Sequence, residues 1–268
     1  MNKTTLLQTA SGNAVIVALD HGIANGNLEG FENPRETLQK VIRGSPDGII
    51  ARAPFVDRYQ DVLSGSDIDI ILAPDVLTFS TLPGHDDGDD MWTGAFSGDL
   101  IKQFDPAGVK VVLNFGRQDN DIHRENIGFV VQLYEELRES DIALIVETVL
   151  WGNNVPDGYA EDMENISDAV RIGWELGADI LKVPYVGQKE RFETMVENTP
   201  VPCMVLGGPA TTPEETLEEV EDVIDAGARG VMIGRSIWQS PEPAAMIQAM
   251  KRIVHEGESA REAGLRLS

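Results

Sequence analysis

Eight short apolar runs of β type, amphipathic helical stretches between them and a length of 268 residues together predict an α/β fold, a single (β/α)8 TIM barrel over residues 1–268. The first four runs lie at residues 14–20, 47–52, 68–73 and 109–115, and the others at 142–147, 179–184, 201–206 and 230–235. Near-continuous apolar runs of this length imply strands covered on both faces, which means a parallel sheet. Helix-period spacing joins Ile127, Val130, Val131, Tyr134 and Leu137 in one stripe, and Met163, Ile166, Ala169, Val170 and Trp174 in a second. A third stripe, Leu217, Val220, Val223 and Ile224, is opened by Thr212-Pro213 and closed by Ala226-Gly227. Eight strand–crossover units in about 250 residues are the arithmetic of a closed barrel. The third crossover, between residues 75 and 105, is loop-rich. An open doubly wound sheet is the alternative, but the first βα turn has no Gly-x-Gly-x-x-Gly fingerprint, and no linker interrupts the pattern.

Composition narrows the class of partner. There are 45 acidic against 21 basic side chains, a formal net charge of −24. A field of this sign repels nucleic acid and anionic membranes. Hydrophobic residues make up 42% of the chain, enough for a sizeable core. No run approaches the ~20 apolar residues of a membrane span, and the polar first twelve residues lack a secretion-signal pattern, so the expected location is cytoplasmic. The single cysteine, Cys203, excludes a disulfide framework and a cysteine-rich zinc module. The acidity is spread along exposed helix faces, which suits molar salt, where the Debye length shrinks to ~3 Å. The Asp86-Asp87-Gly88-Asp89-Asp90 cluster lacks a calcium-loop pattern and reads as a solvated loop.

In a barrel of this type, chemistry belongs at the C-terminal strand ends. Those ends carry Asp20 and His21, Arg52, the Asn114–Arg117 stretch, Glu147, Lys182 and Tyr185, Gly207 and Gly208, and Gly234, Arg235 and Ser236. Lys182 is embedded in an apolar strand. Burial disfavours an ammonium, and a neutral amine attacks carbonyls, so a lysine at a barrel mouth points to Schiff-base catalysis. The competing reading is an ion pair with a neighbouring carboxylate. Lys110, at the start of the fourth strand, is expected at the bottom face, away from chemistry. Gly207-Gly208-Pro209, followed by Thr211-Thr212-Pro213 and a helix, exposes backbone N–H groups at a helix N-terminus. Gly234-Arg235-Ser236 adds a guanidinium, and phosphate is the usual ligand of these two loops. Asp20 is placed to hold a substrate hydroxyl or shuttle a proton with His21 beside it; equally, it caps a turn. The other histidines, His85, His123 and His255, are remote from strand ends, so no metal site is expected.

These residues carry a resemblance. Val17-Ala-Leu-Asp-His-Gly22, Gly177-Ala-Asp-Ile-Leu-Lys-Val-Pro-Tyr185, Val205-Leu-Gly-Gly-Pro-Ala-Thr-Thr-Pro-Glu-Glu215 and the block from Ala226 to Gln239 resemble the class I aldolases of the archaeal fructose-bisphosphate type, within the group that contains deoxyribose-phosphate aldolase. The resemblance implies a (β/α)8 barrel, a Schiff-base lysine at Lys182, a phosphate site from Gly207, Gly208, Gly234 and Arg235, and an Asp20 that handles hydroxyls and protons. It also implies no metal or cofactor, a sugar-phosphate substrate and a homo-oligomer. Fructose 1,6-bisphosphate is the leading substrate on this ground. Alternatives are a transaldol-type synthase of an aromatic precursor, another phosphorylated-ketone aldolase, and a sugar-phosphate-binding protein without turnover. One departure stands out. Family members usually carry Tyr-Pro-Arg-Gly after the fifth strand, and here the tyrosine position falls near Val149. Glu147, Tyr185 and Asp20 are the available replacements, with Glu147 first; its competing role is an ion pair that orients Lys182. Arg52 or Arg117 is the expected cation for a second phosphate.

Overall fold

The computed structural model describes residues 3, 5–77, 91–117, 119–208 and 211–266. Among these, ten strands form in chain order: β1 (Ala14–Ala18), β2 (Gly48–Ala51), β3 (Asp69–Leu72), β4 (Asp75–Leu77), β5 (Trp92–Gly94), β6 (Gly108–Phe115), β7 (Ala143–Leu150), β8 (Ile180–Val183), β9 (Cys203–Leu206) and β10 (Gly230–Ile233). Eight of them close a parallel barrel in the order β1-β10-β9-β8-β7-β6-β3-β2. The chain therefore folds as the predicted (β/α)8 barrel, and the doubly wound alternative falls because β1 pairs with both β2 and β10.

Side-chain alternation along each strand builds two cores. Ile16, Ile50, Ile71, Ile145, Ile180 and Met204 point inward and plug the barrel. Their neighbours Val15, Val17, Ile49, Leu144, Leu181 and Val205 face outward, into the layer where the helices dock. The plug occupies the lower part of the lumen, and the polar inward positions stand above it. Cys203, fully buried in β9, has its thiol pushed up to about 12 by burial, so it takes no part in thiolate chemistry.

The third crossover contains structure that composition alone did not indicate. β4 and β5 pair antiparallel, and a short helix, Gly98–Gln103, follows, capped by Ser97 Oγ accepting from the Leu100 amide. The Asp86–Asp90 cluster and His85 lie outside the described residues. In the helix Asn120–Leu137 the buried stripe is Asn126, Val130, Leu133 and Leu137, whereas Tyr134 is exposed. Asn126 takes a core position because its amide is satisfied by β6: Nδ2 donates to Val112 O at 2.6 Å and Oδ1 accepts from Asn114 N at 2.8 Å. No helix among the described residues is long and apolar enough to cross a membrane.

Exposed carboxylates recur on the outer helices, as at Glu214, Glu215, Glu218 and Asp225. Their mutual repulsion is screened at high ionic strength. The melting midpoint is therefore expected to rise between dilute buffer and ~3 M KCl, measured by circular dichroism; equal midpoints contradict adaptation to salt.

Candidate active site

The C-terminal mouth of the barrel opens into a cavity of about 650 Å³. Four charged side chains at its base form one chain of contacts. Lys182 Nζ, on β8, lies 2.8 Å from Glu147 Oε1 on β7. The other oxygen of Glu147, Oε2, is 2.8 Å from Lys110 Nζ on β6, and Lys110 Nζ is in turn 2.9 Å from Asp20 Oδ2. All four side chains are at most 10% exposed. Register explains the meeting of Glu147 and Lys182, which are paired neighbours across β7 and β8.

Lys110 corrects the expectation that it faces the barrel floor. Its Cα pairs with Ile145, one inward position below Glu147, but its side chain rises toward the mouth. A four-carbon stem spans about two residues of strand rise, and an ammonium inside the lumen has nowhere else to find carboxylates.

The electrostatics follow from this spacing. Burial by itself raises a carboxyl pKa, but Lys110, and after it His21, Arg52 and Lys182, hold Asp20 well below the usual carboxylate range. Glu147 is subject to the same burial and is likewise lowered, by Lys110 and then Lys182. Against its own burial, Lys110 is raised above the ordinary lysine value by Asp20 and Glu147. His21 is lowered by burial, with Asp20 opposing and Lys182 and Arg235 reinforcing. It is thus a neutral imidazole at pH 7, held edge-on to Trp238 with ring centres 5.6 Å apart. Trp238 is itself fixed by an Nε1 donation to Ala18 O at 3.1 Å.

Gly207, Gly208, Gly234 and Arg235 line the same cavity. Gly234 must lack a side chain: a Cβ there would stand 2.5 Å from His21 Cε1 and 2.7 Å from Ala18 O. The helix N-terminus after β9 does not serve as expected, because Thr212 and Glu215 spend their amides on a reciprocal capping box, and Thr211–Pro213 stay out of the lining. Pro209 lies outside the described residues.

Tyr185 is a second correction. β8 ends at Val183, and past Pro184 the tyrosine turns away from the lumen, donating from Oη to Asp222 at 3.4 Å and packing on Phe192. Burial and Asp222 also hold its phenol above the ordinary value, which suits a fixed donor and not a proton carrier. Arg52 does line the cavity, but its Nη1 donates to the carbonyls of Ala73, at 3.2 Å, and Asp75. Arg117 is buried and does not line it. Val149, at the tyrosine position, is buried with Val112 and Leu206.

Three further residues escaped the sequence. Asp75, 1% exposed, accepts from the Val112 amide at 2.8 Å and from Trp92 Nε1 at 3.2 Å, tying the β4–β5 hairpin to β6. Trp151 and Val155 shape the rim around Gly152, a glycine imposed by φ 153° and by Gly116 O, 2.1 Å from where a Cβ would stand. No group of three or more metal-binding side chains gathers among the described residues.

Fold and site define a barrel lyase, and the comparisons with known proteins agree. The sequence pattern of the DeoC/LacD family aldolase matches residues 14–240, and the chain belongs to that aldolase family. An uncharacterised aldolase of Saccharolobus solfataricus is 30% identical over 257 residues, covering 94% of this chain and 93% of that protein. A 2-amino-3,7-dideoxy-D-threo-hept-6-ulosonate synthase of Halobacterium salinarum is 28% identical, over 90% of this chain and 86% of its own. The crystal structure of an archaeal fructose 1,6-bisphosphate aldolase superposes with a TM-score of 0.82 at 26% identity, covering 95% of this chain and 98% of that one.

Lys110→Met leaves two buried carboxylates facing each other without their shared cation, and breaking such a contact costs about 3 kcal/mol, read as a lower urea midpoint. Asp20 and Glu147 both have lowered folded-state pKa values. The stability they confer is complete above the unfolded carboxyl pKa of about 4 and is lost as pH falls through the folded values. Urea titrations of the wild type are expected to give a flat midpoint above about pH 6 that declines below about pH 4.

Proposed function

We propose that this aldolase cleaves and forms a phosphorylated ketose through a Schiff base on Lys182. The observation that carries the reading is Lys182 Nζ, buried 2.8 Å from a carboxylate oxygen in the same cavity as Gly207, Gly208, Gly234 and Arg235. Glu147 accepts a proton from Lys182, and the freed amine attacks the ketose carbonyl. The carbinolamine hydroxyl regains a proton from Glu147 and leaves as water, giving an iminium. Asp20 takes the proton of the hydroxyl on the carbon that will depart. The electron pair of the adjoining C–C bond then moves into the iminium to form an enamine, and the aldehyde leaves. Protonation of the enamine carbon and attack by water release the ketone phosphate and restore Lys182.

Lys110 keeps the two carboxylates apart in role while touching both. Glu147 divides its oxygens between two lysines in the resting site. While Lys182 is a neutral amine or carbinolamine, Lys110 is the ammonium that still holds Glu147, and the proton affinity of Glu147 rises at the step where it carries a proton. The backbone amides of Gly207, Gly208 and Gly234, with Arg235, hold the ketose phosphate, and His21 offers a neutral imidazole to a substrate hydroxyl. In the reverse direction the same enamine attacks an aldehyde, which also accommodates the synthase chemistry named for the Halobacterium salinarum relative.

Borohydride with dihydroxyacetone phosphate is expected to fix a covalent adduct on Lys182, located by peptide mass spectrometry, and Lys182→Met to show none. A protein that binds sugar phosphate without turnover would give no adduct in the wild type. Glu147→Gln is expected to lower kcat by about 10²-fold, the scale of a lost general acid–base, in a cleavage assay at saturating substrate.

A further inference from the structure

The cavity is divided in chemistry from one end to the other. Around the rim, the strand order places the phosphate cradle on β10 and β9, Lys182 on β8, and then β7 and β6. The wall beyond Lys182 is apolar: Val112, Leu150, Trp151 and Val155, with Leu77 from the β4–β5 hairpin. Every lysine and arginine of the chain lies among the described residues, and four of them line the cavity: Arg52, Lys110, Lys182 and Arg235. Among the described residues three carboxylates, Asp20, Asp75 and Glu147, line it too, leaving a surplus of one positive charge there. Arg235 belongs to the cradle and Lys182 to the carbonyl. Lys110 is shared between Asp20 and Glu147, and Arg52 is turned by Nη1 to the carbonyls of Ala73 and Asp75, with its Nε buried and unpartnered. One phosphate dianion nearly balances the cavity. A second would place two more negative charges against an apolar wall in a chain of net charge −24, with Arg52, already turned to two carbonyls, as the one lining cation left to offset their desolvation.

We infer that the substrate is a ketose with a single phosphate, held at the Gly207–Gly234–Arg235 end, whose other fragment leaves as an uncharged aldehyde with an apolar tail lying on Leu150, Trp151 and Val155. The inference rests on the Schiff-base reading above and narrows it: a phosphorylated aldehyde is not the partner of this site. The C–C bond broken and the proton moved are those already described, with the released aldehyde bearing no ionisable group.

The test is synthesis by the wild-type enzyme from dihydroxyacetone phosphate, with butanal or glyceraldehyde 3-phosphate as acceptor. kcat/KM is expected to favour butanal by at least about tenfold, the scale on which one pocket discriminates by a single group. Trp151→Arg, which puts a cation on the apolar wall at the exposed rim, is expected to shift that ratio toward glyceraldehyde 3-phosphate by about tenfold. Equal or better turnover of glyceraldehyde 3-phosphate in the wild type, with Lys182 still trapped by borohydride, overturns the single-phosphate inference and leaves the Schiff base standing. Failure of trapping itself overturns both.

Discussion

Lys110 bridges two carboxylates that the barrel would otherwise force together without a counter-charge. Its ammonium stands 2.9 Å from Asp20 and 2.8 Å from Glu147, in a lumen sealed below by isoleucine and methionine side chains. Remove that cation and two ionised carboxylates in a low-dielectric site either protonate or repel. With it in place, Asp20 stays ionised, Glu147 keeps one oxygen for Lys182, and the amine of Lys182 is oriented by a partner that is itself fixed. The site is thus an alternating chain of charge across β1, β6, β7 and β8, and every catalytic assignment depends on that alternation.

The arrangement also shows why a barrel suits this chemistry. Inward positions on neighbouring strands stack in register, so Glu147 and Lys182 meet because their backbones are paired, while Lys110 reaches its partners by side-chain length. The proposed phosphate cradle needs no such reach. It is built from glycines at the ends of β9 and β10, and Gly234 allows the backbone to approach His21 and Ala18 to a distance that any side chain would block. In the proposed reaction rigid strands hold the reacting groups and loop backbone holds the anion, a division that lets the rim change without disturbing the centre.

The sequence made the barrel legible because each strand is covered on both faces and the helices keep a clean period. Most of the cavity lining was legible too: Asp20, His21, Glu147, Lys182 and the two glycine turns are polar or small residues at positions an apolar core would not give them. The failures have a common cause, which is that one-dimensional position does not record direction. Lys110 lies low on its strand yet points up. Tyr185 follows the strand of Lys182 yet turns outward past Pro184 to Asp222. The helix after β9 has the residues of an anion site, but the same Thr212 and Glu215 satisfy each other. Asp75 lay in the stretch with the least pattern, and only the fold shows its carboxylate receiving the Val112 amide.

The charge pattern of the barrel mouth depends on the charge state that Lys110 imposes. A 13C-detected pH titration of the Glu147 carboxyl, in the wild type and in Lys110→Met, reads it directly. The wild-type midpoint is expected below the ordinary glutamate value of about 4.3 and should move upward in the variant. A midpoint that is the same in both proteins, or one at or above the ordinary value in the wild type, would contradict the shared-cation account.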